Sequence, residues 1–308
     1  MTKRMRVLIG YDGSSDADTA VDDLRRAGLP NDVEALVVSV EDTPTVPEFV
    51  SHEVVEKAFV GDRAVSIIYH ANKHEWDALE QAKELALSAI VRLKSYFPNW
   101  QVHGEVLPGT PASELIRRAE EWEAQLLVVG SQGRSAIGRL ILGSVSLEVA
   151  TEARCSVRIG RRRRAESDRR DLRIIVGLDS SPGAERAIRK VLMRPWPKGT
   201  ELRIVAVDDG ISSIKFDLAP ISELHVRQDS SVTASRMIKL AESRRFTVSA
   251  GIKKGDPQRL LIAESREWEA DCIIIGPRGT RNKLQGLFDS SVSTGLAADA
   301  ECSVEIVR

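Results

Sequence analysis

A stretch beginning at Met5 (Met5 Arg6 Val7 Leu8 Ile9 Gly10 Tyr11 Asp12 Gly13 Ser14 Ser15) returns as Leu172 Arg173 Ile174 Ile175 Val176 Gly177 Leu178 Asp179 Ser180 Ser181 Pro182. Each copy is an apolar run ending in an acid and serines before a helix-like segment, and Ala20 and Ala187 follow at equal offset. Three more pairs keep the same order: Gly109 Thr110 Pro111 with Gly255 Asp256 Pro257, Glu121 Trp122 Glu123 Ala124 with Glu267 Trp268 Glu269 Ala270, and Cys155 Ser156 Val157 Arg158 Ile159 with Cys302 Ser303 Val304 Glu305 Ile306. Collinear matches on this scale mean a duplicated domain. The boundaries they imply are a first domain over 1–160, an Arg-rich linker over 161–171 and a second domain over 172–308.

Within the first half, short apolar runs alternate with helical spacing. The pattern predicts strands near 5–10, 34–40, 101–107, 126–130 and 155–159, and helices near 14–27, 74–97, 111–123 and 144–153. Such alternation builds an α/β fold of two tandem doubly wound domains, each a parallel sheet with helices on both faces and right-handed crossovers. The stretch from Glu41 to about Lys73 has no sustained period: 41–50 reads as loop, with a short helix expected around Val54 to Phe59.

In an open sheet of this kind ligands bind beyond the carboxyl ends of the strands. The richest chemistry at such an end follows Leu126 to Val129, where Gly130, Ser131, Gln132 and Gly133 lead after nine residues to Gly143, Ser144 and Val145. Glycines on a strand-to-helix connection let backbone approach an anion and adopt positive φ, and the amides and dipole of the next helix add positive potential. Ser144 suits the N-cap of that helix. Asp12 ends strand one, Val40 ends strand two and Gly130 ends strand four, so the three converge on one crevice. Taken alone, Asp12 before Gly13 and two serines is also a normal helix cap, and Val40 is an ordinary strand-end valine.

The spacing Gly-x-x-Gly-x9-Gly-Ser resembles the ATP-binding signature of the universal stress protein family, and Gly130, Gly133, Gly143 and Ser144 fill every position of it. The resemblance spans nearly the whole chain as a tandem pair. It implies five-stranded sheets of order 3-2-1-4-5, an acid after strand one (Asp12) approaching the adenosine, a backbone contact to adenine at Val40, and phosphates wrapped by the Gly130 to Val145 loop. Tyr11, Gly13 and Val129 flank these positions and complete the candidate set, with Arg134 as a phosphate neighbour by charge. The implied ligand is ATP with Mg²⁺ on its phosphates; the family also pairs domains through their last strands, here Cys155 to Ile159 with Cys302 to Ile306 within one chain, and a homodimer stays open beside that.

The second loop begins Gly276 Pro277 Arg278 Gly279 but ends Gly286 Leu287 Phe288 Asp289 Ser290 Ser291 Val292. Either alignment with the first loop loses the glycine at the position of Gly143, and both leave Asp289 near where polyphosphate would lie. One ATP per chain is therefore expected.

Other chemistries lack their residues. No GxxxxGK[ST], GxGxxG or GxSxG occurs, and His70 and His74 at i,i+4 lack the Glu of a zinc helix, Ala71 standing in its place, so no metal site of the chain's own and no catalytic residue is assigned. Cys155, Cys272 and Cys302 are widely spaced and read as buried thiols. In 308 residues with 29% charged, the net charge is only -1, which gives no global field for nucleic acid or anionic membrane. The run Arg161 to Arg164 with Arg169 and Arg170 reads as a solvated linker. No apolar run approaches the roughly 20 residues of a membrane span, and the basic start lacks a signal-peptide core, so a cytoplasmic location is expected. The resemblance implies a nucleotide-regulated stress-response or signalling factor. A scaffold that does not use nucleotide, or a slow ATPase or self-phosphorylating protein, stays open as the alternative.

Overall fold

Five strands of the first half form a parallel sheet. They are β1 (Met5–Gly10), β2 (Val33–Glu41), β5 (Gln101–Pro108), β6 (Leu126–Gly130) and β7 (Ser156–Gly160), in the spatial order β7-β6-β1-β2-β5. Counting these five in sequence, that is 3-2-1-4-5 read from the β5 edge. The computed structural model describes residues 4–41, 52–60, 63–71, 76–133, 142–162, 171–178, 182–208, 246–276 and 291–308. By proximity the chain divides into two units. The first is Met1–Arg25 with Leu29–Arg161, and the second is Arg26–Gly28 with Arg162–Arg308.

The strands are near-continuous apolar runs, as a sheet covered on both faces requires. Leu8, Ile9, Leu126, Leu127 and Ile159 are fully buried. Helices α1 (Ser15–Asp23) and α2 (Trp76–Tyr96) pack together, as do α3 (Pro111–Glu121) and α4 (Ser144–Glu152). Register assigns the pairs to opposite faces. A Cβ on Gly130 would run into α1 and one on Gly10 into Leu115 of α3, while Gly10 is level with Val129, the neighbour of Gly130. Successive strand residues face opposite sides.

The expected helix around Val54 to Phe59 is instead a strand. β3 (His52–Val60) pairs antiparallel with β4 (Arg63–Ala71), and β4 joins β5 in parallel, so the first sheet carries a hairpin beyond its five parallel strands. Val54, Val55, Phe59 and Val60 opposite Tyr69, Ile68, Ala64 and Arg63 supply the β-branched and aromatic content that favours a ladder. The partner at 63–71 is what overrides the local pattern. His70 accordingly lies on β4, and His74 lies outside the described residues.

The second unit repeats the plan with β8 (Arg173–Leu178), α5 (Pro182–Met193), β9 (Glu201–Asp208), β10 (Thr247–Lys254), α6 (Pro257–Glu267), β11 (Cys272–Ile275), α7 (Ser291–Asp299) and β12 (Ser303–Ile306). Its sheet order is β10-β9-β8-β11-β12, all parallel. The repeated Glu-Trp-Glu-Ala motif has a local cause in both units. Trp122 and Trp268 end their helices, Glu123 and Glu269 follow with φ 52° and 50°, and the amides of Ala124 and Ala270 bond back to Ala119 and Ser265. That is a left-handed helix stop with its six-residue return bond. The indole rings then sit under Arg6 and Arg173 at 5.6 and 5.7 Å.

Candidate functional site

The site is built at the carboxyl ends of β1, β2 and β6. β1 ends at Gly10, and the Tyr11 amide makes a further bond of 2.9 Å to the Val38 carbonyl. Residues of a parallel strand alternate in which neighbour their N–H and C=O address. Val38 addresses the β1 side, so Val40, two residues on and half-buried, turns its peptide groups the same way, beyond the Tyr11–Val38 bond and into the crevice. The buried Ser39 hydroxyl donates to the Tyr11 carbonyl at 2.8 Å and fastens the two strand ends together.

After Tyr11 the chain turns sharply. Gly13 has φ 77°, a conformation that favours glycine, and a Cβ there would lie 2.4 Å from Leu85 Cδ2 of α2. Ser14, not Asp12, caps α1: its Oγ accepts the Ala17 amide at 3.1 Å. Asp12 Oδ1 accepts the Ser14 amide at 3.0 Å, and its other oxygen, Oδ2, lies 3.1 Å from where a Cβ of Gly133 would stand. The Ser14 hydroxyl also reaches the Gln132 carbonyl at 3.4 Å, across 118 residues of sequence. The acid and the glycine loop are thus adjacent.

Within the loop the glycines have different jobs. A Cβ at Gly130 would meet backbone of α1, 2.7 Å from Asp16 C and 2.9 Å from the Ala17 amide nitrogen, so its bareness serves helix packing. Gly133 is exposed beside Asp12. Gly143 donates to the Ser131 carbonyl at 2.9 Å, and a Cβ there would stand 3.3 Å from Gln132 Cα and 3.5 Å from the Gly133 amide nitrogen. None of the three has positive φ. At Gly130 and Gly143 close approach of backbone to backbone replaces the expected left-handed geometry, and at Gly133 the near group is the Asp12 carboxylate.

Gly143 rather than Ser144 is the N-cap of α4, at φ -63° and ψ 150°, and as a glycine it brings no capping side chain of its own. Ser144 is the exposed first residue of the helix, and Val145 beside it is half-buried. The serine that does hold the helix is Ser146, buried, donating to the Gly130 carbonyl at 2.7 Å. Val129 is buried at the end of β6 and packs near Gly10. Arg134 lies outside the described residues, as does the loop over 134–141.

The Tyr11 ring is tied to α1. Its hydroxyl donates to Asp18 Oδ1 at 2.6 Å, and burial together with that bond pushes its pKa up to about 12, so it stays a donor. Behind Asp18, Arg92 of α2 reaches Asp18 at 3.2 Å and grips Asp22 with two bonds of 2.6 and 2.7 Å, to which Tyr96 adds a third at 2.9 Å. Burial would raise the Asp22 pKa, but Arg92 and Tyr96 outweigh it and hold the carboxyl below its ordinary range. The network ties α1, α2 and the end of β1 into one body.

Sequence reasoning missed Ser39 and Ser146. Ser39 carried a signal, being a polar residue inside the apolar run from Ala35 to Val40. In the second unit the matching first glycine, Gly276, again abuts a helix start: a Cβ would lie 1.9 Å from the Gly183 carbonyl oxygen. Asp179 and 277–290 lie outside the described residues.

The model of the universal stress protein family matches this chain over residues 3–161 and again over 172–308. A universal stress protein of Mycolicibacterium smegmatis is 26% identical over 308 residues, covering 98% of this chain and 96% of its own. One from Mycobacterium tuberculosis is 25% identical over 314 residues, covering 99% and 98%. Among solved structures, a universal stress protein from Archaeoglobus fulgidus covers 98% of both chains with a TM-score of 0.65 at 19% identity, a likeness of fold. Among the described residues no helix is long and apolar enough to cross a membrane.

Proposed function

The chain belongs to the universal stress protein family, and on that premise we propose that its first half is an adenine-nucleotide site, taking ATP with Mg²⁺ on the phosphates, whose occupancy acts as a regulatory signal. The observation that carries the proposal is the meeting of the Asp12 carboxylate with the Gly133 position, beside the start of helix α4, whose N-cap Gly143 has no side chain to occupy the first amides. The residues fit the ligand by chemistry. First-turn amides behind a glycine cap and the helix dipole favour phosphate, Gly133 and Gly143 leave room for it, and the crevice-facing peptide of Val40 offers a donor and an acceptor to an adenine edge. The bound Mg²⁺ would neutralise phosphate charge that Asp12 would otherwise repel. The proposal is for binding and signalling, with no turnover assigned. It includes pairing of domains through their last strands, tested by cross-linking, and a cytoplasmic location, tested by fractionation.

Titration of the full chain with MgATP followed by thermal denaturation tests the site. At ligand about 100-fold above Kd, linkage stabilises the first unit by roughly 2.7 kcal/mol. Gly143→Asp should abolish that gain, because its Cβ and carboxylate would stand over the backbone of Gln132 and Gly133 where phosphate belongs. At φ -63° the backbone itself tolerates the change. An equal thermal shift in the variant would contradict the assignment.

A further inference from the structure

We infer that Ser39 is the positioning residue for the nucleoside end of the first crevice, and that its absence from the second half makes the two crevices unequal independently of their glycine loops. The inference rests on the nucleotide reading of the first crevice. Ser39 is 2% exposed and does not touch the crevice itself. It acts through its neighbours. The hydroxyl donates to the Tyr11 carbonyl, on the peptide that leads into Asp12, while the Tyr11 amide donates to Val38. Two bonds therefore fix the separation of the β1 and β2 ends beyond the last regular rung, where β1 has stopped and a ladder no longer holds them. The Val40 peptide and the Asp12 turn are placed by that fastening.

The Tyr11 ring extends the same lock, its hydroxyl held by Asp18, which Arg92 holds in turn. At the equivalent register of the second unit, set by Arg6 against Glu34 and Arg173 against Glu201, Ser39 becomes Ala206 and Tyr11 becomes Leu178. Both are buried, at 2% and 8%. Neither has a hydroxyl. The second unit has the same strands in the same register without either side-chain bond, which shows that the fold does not need them. The lock is an addition particular to the first half.

The test uses the full chain and two ligands, adenosine and MgATP, at a temperature where the chain is fully folded. Ser39→Ala should weaken both by the same factor, about fivefold, the scale of one hydrogen bond. Ser39→Thr, which keeps the hydroxyl, should restore wild-type affinity for both. Gly143→Asp, by contrast, should weaken MgATP far more than adenosine. A global loss of packing would lower the denaturation temperature without matching losses for the two ligands, and the alanine at position 206 shows that the register accepts that residue. Wild-type adenosine affinity in Ser39→Ala, or a loss confined to MgATP, would overturn the inference while leaving the nucleotide site standing. A wild-type chain that binds neither ligand would overturn both.

Discussion

Gly130 and Gly276 answer to packing against a helix start, Gly143 to the close approach of the Gln132 and Gly133 backbone, and Gly133 to the crevice. The Cβ that Gly130 lacks would strike the backbone of Asp16 and Ala17, and the one that Gly276 lacks would strike Gly183, neither of which can swing aside as a flexible side chain would. Gly130→Ala should therefore cost about 1–3 kcal/mol of stability, the scale of an overpacked contact. Gly133→Ala, whose close neighbour among the described residues is a carboxylate oxygen at 3.1 Å, should leave denaturation nearly unchanged while weakening nucleotide binding. Thermal melts of the two variants side by side decide it, and equal destabilisation would contradict the division of labour. The sequence pattern Gly-x-x-Gly-x9-Gly-Ser merges these two demands, because packing against α1 and access for an anion both call for a missing side chain. Only coordinates separate them.

At the scale of elements, the last strand of each half is tied to its own unit by a buried ion pair, with the polarity exchanged. In the first, Arg158 of β7 meets Asp23 of α1 at 2.7 Å with side chains 0% and 1% exposed. In the second, Glu305 of β12 meets Arg194, just past α5, at 2.5 and 2.8 Å. Removing one partner breaks a buried ion pair, so Asp23→Ala should cost about 3–5 kcal/mol in chemical denaturation, and a cost under about 1 kcal/mol would contradict that role. The repeat alignment already displayed Arg158 opposite Glu305, yet not the partners, which come from helices distant in sequence. The β3–β4 hairpin was illegible for a like reason. A strand is stabilised by the strand beside it, and Val54 to Phe59 alone suits a short helix as well.

A second element-scale consequence concerns acid. Glu264 of α6 receives Arg203 of β9 at 2.6 Å and Lys253 of β10, and although burial would raise its pKa, the two cations outweigh it and lower it from 4.5. The folded pKa is depressed, so the contribution to stability is present above about pH 4.5 and is lost as pH falls through the lower folded value. Glu264→Gln should flatten that part of the second unit's stability profile between pH 5 and more acidic solution, by roughly the slope of one proton. A profile as steep as wild type would assign the acid sensitivity elsewhere.

For the whole molecule, duplication without equivalence is the central feature. The two units share five strands in one order, the Trp-capped helix stop and the packing glycine at the end of the fourth strand. They differ at Ser39 against Ala206 and Tyr11 against Leu178, as well as in the loop sequence after Gly276. The shared features were readable because each is a local pattern with a local cause. The serine lock was not, since a hydroxyl in a buried run reveals its partner only when β1 and β2 lie side by side. Calorimetric titration of the full chain with MgATP tests the account most directly. We predict one site per chain, lost in Gly143→Asp and unchanged in Gly279→Ala; two equivalent sites, or binding that survives Gly143→Asp, would contradict it.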